Sequence, residues 1–190
     1  MNLWQDDIPA FRPAAFQVRR AERPFELIGH HRLREEFFCR QQKIFEHSDR
    51  DRIDAEAIPL VAVTLLHGDA DEVVGAVRIH EDAEPGTWWG SRLCVASTIR
   101  GDAGLGTALI RFAVGTANAE GCSRFLANVQ AQNVRLFRRV GWHVLDELTL
   151  HGRPHALMEA ELERFPPVHA PSPVHVPTSA LAFSHARPST

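Results

Sequence analysis

The chain has 190 residues, 44% of them hydrophobic and 24% charged, with a formal net charge of −3. That length supports one domain with its own core, and that composition belongs to a globular fold rather than a disordered or fibrous one. The weak negative charge gives no footprint for nucleic acid or an anionic membrane surface, so neither is expected as a partner.

Three cysteines, Cys39, Cys94 and Cys122, are an odd number at wide spacing. They read as reduced thiols, which points to a cytoplasmic protein. The opening "MNLWQDDIPAF" lacks a basic and then apolar leader pattern. The apolar run "PLVAVTLL" is far shorter than the about 20 residues of a membrane helix.

In chain order, residues 1–15 read as an irregular arm and "FQVRRAE" (16–22) as a short strand. Pro24 sits where a helix can begin. From 25 to about 45, apolar residues at Leu27, Ile28, Leu33, Phe37, Phe38, Ile44 and Phe45 predict an amphipathic helix broken once. "EHSDRDRIDAEA" (46–57) reads as a polar connection, whose Asp49, Asp51 and Asp54 could attract a cationic amine. "PLVAVTLLH" (59–67), "EVVGAVRIH" (72–80) and "TWWGSRLCVAS" (87–97) are strands of an antiparallel meander. A helix is predicted over 104–119, a strand over 123–130, a short helix over 131–142 and a final hairpin around "HGRP". The order is that of an α+β (mixed α/β) sheet of about 6–7 strands with helices packed on it. From Pro166 the chain is proline-rich with a single formal charge, and a tail without secondary structure is expected over 166–190. The globular domain is therefore placed at 16–165. A tail lying across a second copy would make a homodimer.

"RGDAGLGTALI" (100–110) places three glycines between a strand and a helix. Such a junction gathers unpaired backbone N–H groups at a helix N-terminus and favours an anion. It lacks the Gly-Lys-Ser/Thr of a nucleotide P-loop, and no acidic residue closes the next strand as a dinucleotide site requires. "LCVASTIRGDAGLGTALIRFAV" resembles the acetyl-CoA signature of the GNAT superfamily of N-acetyltransferases. "NVQAQNVRLFRRVGW" resembles the family's second signature, and the order of elements over 16–163 fits its fold. The resemblance implies a sheet splayed at a cofactor cleft and acetyl-CoA as acyl donor. The reaction it implies is direct transfer to a primary amine of a small molecule.

Carried onto this sequence, it implies that Leu93, Cys94 and Val95 offer backbone groups to the pantetheine arm and the thioester. Arg100, Gly101, Asp102, Ala103, Gly104, Leu105, Gly106 and Thr107 would cradle the pyrophosphate, with Asn133 and Phe137 against the arm. Two departures stand out. Arg100 to Gly104 is one residue longer than the family's R-x-x-G, and Phe137 occupies the position of a common tyrosine acid in a chain with no tyrosine. Cys94 or Ser97 could then serve the departing thiolate. His80 and Glu81, at a strand end, are candidate general bases. Cys94 could also be a nucleophile or a small buried hydrophobe. Of Trp88 and Trp89, which alternate on a strand, one is expected in the core and the other at the acceptor pocket. His30–His31 and His151/His155 lack metal-ligand spacing, so no metal is expected. "RLREEFFCRQQKIFEHSDRDRIDAEA" also resembles acyl-homoserine-lactone synthases, which keeps a longer-chain acyltransferase open. A non-catalytic acyl-CoA-binding module is the third reading.

Overall fold

The computed structural model describes residues 15–99 and 104–175. Alternating apolar residues in β2 (Ile58–Leu66) set the layering: Leu60 and Ala62 face one side of the sheet, Val61 and Val63 the other. Around it lie β1 (Ala15–Arg20), β3 (Asp69–Glu81), β4 (Thr87–Val95), β5 (Arg124–Gln130), β6 (Trp142–Leu150), β7 (Arg153–Ala160) and β8 (Ser172–His175). The strands form one sheet in the order β6-β7-β5-β4-β3-β2-β1-β8. Every pairing is antiparallel except β4 with β5. Helix α1 (Pro24–Glu35) covers one face, and α2 (Leu105–Ala119) with the short α3 (Val134–Val140) covers the other.

The main core lies under α2, where Leu105, Leu109, Phe112 and Ala113 meet Leu60, Val77 and Ile79. Nine of the fifteen α2 residues are buried, including Gly115 on its outer side. A helix buried nearly all round needs a second cover. Here it is the start of the tail: Val168 N–H donates to the Gly115 carbonyl at 2.9 Å, and Asn118 Nδ2 donates to the Phe165 carbonyl at 2.8 Å.

The fold is the expected mixed α/β one, with eight strands rather than about 6–7. The eighth comes from the region read as lacking secondary structure: Ser172–His175 pairs with the outer edge of β1. Prolines are tolerated on such an edge because one side of the strand needs no donor.

Helix α1 departs from its apolar periodicity. Leu27 and Ile28 are 38% and 66% exposed, whereas Glu26, His30 and Arg34 are at most 1% exposed. Spaced four apart, these three share one stripe, and each has a partner. Glu26 accepts from the Glu22 and Arg23 N–H groups and pairs with Arg19. The Val77 carbonyl can only accept, so His30 Nε2–H donates to it, at 3.2 Å. Arg34 binds two aspartates. After Glu35 the helix widens into a π turn (Glu36–Gln41), in which Gln42 N–H reaches back to Phe37 at 2.9 Å.

A Cβ on Gly115 would lie 2.7 Å from Val168 Cγ2 and 2.8 Å from the Pro166 carbonyl. Gly115→Val should therefore destabilise the chain by about 1–3 kcal/mol through overpacking, read as a lower urea midpoint with an unchanged m-value.

Candidate active site

The parallel ladder of β4 and β5 runs only from Thr87↔Arg124 to Gly90↔Ala127. Beyond it β4 stays with β3 as far as Val95, and β5 stays with β7 as far as Gln130. The two inner edges diverge, leaving backbone groups of 91–95 and 128–130 facing a gap instead of each other. A cavity of about 480 Å³ fills this gap and reaches both faces of the sheet. Its lobe on the α2 face is apolar, lined by Ile110, Ala113, Phe125, Val129, Phe137 and Trp142. Its lobe on the α1 face is polar, with Asp51, Arg78, His80, Ser91, Arg92 and Gln130 beside Phe38, Phe45 and Trp89.

A β-bulge shapes the polar lobe. Between the pairs Ala76↔Cys94 and Arg78↔Ser91, β3 has one residue and β4 has two, Arg92 and Leu93. Arg92 adopts a φ of 58°. The extra residue resets the alternation. Ser91 and Arg92 both turn to the α1 face, while Leu93 packs toward the α2 face. An arginine in this left-handed region costs about 1–2 kcal/mol, which its side-chain bonds offset.

Those bonds belong to a network of three arginines and three aspartates, in which Arg34, Arg78 and Asp49 are buried and Asp51 reaches solvent. Arg34 donates to Asp49 Oδ2 at 2.7 Å and to both Asp54 oxygens at 2.6 and 3.1 Å. Arg78 binds Asp51 bidentately at 2.7 Å and Ser91 Oγ at 2.9 Å, and lies 2.8 Å from Asp54 Oδ2. Arg92 reaches Asp49 Oδ2 at 3.1 Å and Asp51 Oδ2 at 3.2 Å, with its guanidinium 4.6 Å from the Phe45 ring centre. Hydrogen bonds from Arg78 hold the Asp51 carboxyl below its ordinary range, against the opposing effect of burial. For Asp54, burial pushes upward, but hydrogen bonds from Arg34, the Asp51 N–H and Arg78 outweigh it and hold the carboxyl low. The acidic segment is thus folded onto cations of the chain itself rather than held out to solvent.

Of the expected catalytic groups, His80 lines the cavity. Burial, and then the charge of Arg78, push its pKa below the ordinary 6.5, and its Nδ1 is buried without a partner among the described residues. Glu81 lies outside the cavity lining and accepts the Gly86 N–H at 2.8 Å, closing the β3–β4 turn. Cys94 is 3% exposed, against Phe38 and Ala76. Leu93 lines the cavity, and Val95 packs on the core. Trp88 is in the core and Trp89 at the cavity.

Arg100, Gly101, Asp102 and Ala103 lie outside the described residues, and with them the extra residue of the loop. Gly104, at φ 62°, is the N-cap of α2. Among the described residues no side chain caps this helix, its first turn holds no acid, and a Cβ on Gly104 or Gly106 would meet nothing within 4 Å. These open, uncapped N–H groups fit a diphosphate. Leu105 is 1% exposed and anchors the helix in the core, followed by Gly106 and Thr107 in its first turn. Asn133, exposed at the start of α3, and Phe137, 5.1 Å edge-on to Trp142, line the same cavity. From α2 itself, Ile110 and Ala113 line the cavity, one to two turns beyond Leu105–Thr107.

Sequence reasoning missed Arg34, Arg78 and Arg92. The available signal was a charge inside an apolar strand run, "VVGAVRIH", following a segment rich in aspartate.

The model of the Acetyltransferase (GNAT) family matches residues 21–142. No curated protein matches. A solved structure described as an N-acetyltransferase from Lactobacillus plantarum superimposes with a TM-score of 0.68 at 19% identity, covering 77% of this chain and 98% of that one. Escherichia coli ElaA gives 0.63 at 18%, covering 77% and 98%. The CoA-dependent acyl-homoserine lactone synthase BjaI, solved with SAM and isopentyl-CoA, gives 0.59 at 17%, covering 73% and 78%. At these identities the likeness is one of fold.

Burial lowers the pKa of His30 to about 4 from 6.5, with Arg34 adding to the effect. Between those values the unfolded chain binds more protons, so His30 stabilises the fold fully above pH 6.5 and loses this as pH falls to 4. His31 and His80, also lowered, act with the same sign; the depressed Asp51 and Asp54 act below about pH 5. His30→Gln, which keeps a donor for Val77, should flatten the stability slope between pH 6.5 and 4.5 in urea titrations. The part removed should be on the order of 3 kcal/mol across the full window.

Proposed function

The chain belongs to the GNAT acetyltransferase family, and we propose that it is an N-acetyltransferase moving the acetyl group of acetyl-CoA to a primary amine of a small molecule in a ternary complex. The observation that carries this reading is the splay of β4 from β5 beside the open N-terminus of α2. The splay turns backbone groups of β4 toward the gap, where a thioester would sit, and the helix end offers N–H groups to a diphosphate.

In this reading acetyl-CoA supplies an activated acyl group with a thiolate leaving group. The N–H groups of Leu93–Val95 that face the gap stabilise the oxyanion as the amine attacks. His80, with its lowered pKa, is neutral at neutral pH and accepts the amine proton through water. Phe137 cannot donate a proton. A thiolate whose conjugate acid has a pKa of about 8.5 departs without a strong acid, and water returns the proton. Asn133 holds the pantetheine arm, and Phe137 and Trp142 wall the acyl end.

The apolar lobe favours a second reading, an acyl donor longer than acetyl. The six residues named for the α2-face lobe carry no charge and leave room beside the splayed strands. The likeness to a synthase solved with isopentyl-CoA supports it.

Calorimetry should show coenzyme A binding to the full chain. Gly106→Asp, which sets a carboxylate in the open space at the α2 N-terminus, should weaken that binding tenfold or more while leaving the melting temperature near that of the parent. Thiol-release assays decide between the donors. The leading reading expects acetyl-CoA to be the best substrate. The second expects hexanoyl-CoA to surpass it, and Ala113→Phe to reverse the order by filling the lobe.

A further inference from the structure

We infer that the acceptor carries a carboxylate, bound by the unused edge of Arg92, so that the substrate class is an amino acid or a similar amine bearing an acid group. This rests on the acyltransferase reading above.

Arg92 is fixed on one side only. Its Nε donates to the Asp49 carbonyl at 3.2 Å and to Asp49 Oδ2 at 3.1 Å. Its Nη2 donates to the same carbonyl at 3.0 Å and to Asp51 Oδ2 at 3.2 Å. Nη1 has no partner among the described residues. Phe45, 4.6 Å from Cζ, and Phe38, at 5.9 Å, stack against the guanidinium and set its plane. A guanidinium locked along one edge and across one face presents its remaining N–H groups in a fixed direction, the geometry suited to a planar carboxylate. Arg78 differs, since Ser91, Asp51 and Asp54 take up its donors.

The charged lining residues are Arg78, Arg92 and Asp51, counting histidines as neutral, and behind them Arg34, Asp49 and Asp54 make the cluster three arginines against three aspartates. A carboxylate adds one negative charge to this balance, whereas a phosphate dianion adds two beside Asp51. The charged form of Arg92 is disfavoured first by burial and then by Arg78, and a bound anion relieves both effects.

The position suits the chemistry. Arg92 immediately precedes Leu93–Val95, the segment facing the acyl group, and His80 lines the same lobe. In an α-amino acid the amine is one carbon away from the carboxylate, so fixing the acid confines the amine. The bulge also explains why the strand carries a strained arginine where glycine would be relaxed: the function lies in the side chain.

The test uses the full chain saturated with coenzyme A, titrated calorimetrically with α-amino acids and the matching α-amino amides. The tightest ligands should be acids, with affinity falling at least tenfold on amidation. Arg92→Lys should shrink that ratio at least fivefold with coenzyme A affinity unchanged. The acid-to-amide ratio is measured on the native chain and does not depend on the variant folding. Equal affinity for acids and amides, or no acid binding while coenzyme A binds, overturns the inference. Failure to bind coenzyme A overturns the acyltransferase reading instead.

Discussion

Three arginines and three aspartates share one partly buried cluster on the α1 side of the sheet, and the site depends on it. Arg34 comes from α1, Arg78 from β3 and Arg92 from β4, while the aspartates come from the segment between α1 and β2. Burying such charges is expensive unless each is paired, and removing one member strands its partners. The cluster therefore acts as a unit. It draws the acidic segment down onto the sheet and secures α1, whose buried stripe is otherwise polar. It also holds Arg92 in a backbone conformation the residue does not favour.

The sheet consequently separates two chemistries. On the α2 side lies a dry core of aliphatic and aromatic residues. On the α1 side ion pairs, amides and histidines lie beside two smaller apolar clusters. The strands keep the two apart except where β4 leaves β5. Acyl transfer needs such a boundary: an apolar place for the acyl tail, a polar place for an amine that must lose a proton, and backbone donors between them. Phe137 and Trp142 on one side and His80 and Arg92 on the other meet across that opening.

Much of this was legible in the sequence. Alternation in β2, the glycine-led helix α2, and the Asn133-to-Gly141 helix all obey local rules, and the resemblance rested on them. Where the reading departed, the physics was not local. In α1, periodicity placed Leu27 and Ile28 inward, because a hydrophobicity pattern cannot foresee that Glu26, His30 and Arg34 will find partners far along the chain. Residues 46–57 read as a solvated connection for the same reason. The bulge at Arg92 is a single dihedral in an apolar strand, and nothing in "WWGSRLCV" marks it. Strand β8 is four residues with a proline; it pairs because the β1 edge is there, not from its own propensity.

The pairing of β1 with β8, Phe16 opposite Val174, has a consequence for how the molecule is made. The first and last described strands are neighbours, and among the described residues 165–168 close the outer side of α2. On the ribosome, the helix that walls the cleft with Ile110 and Ala113 would remain bare along its outer flank until residues 166–168 had been synthesised. Such long-range closure is slow relative to local structure. A nascent chain stalled near residue 160 would hold every side chain that lines the cleft, yet lack the cover that keeps α2 seated.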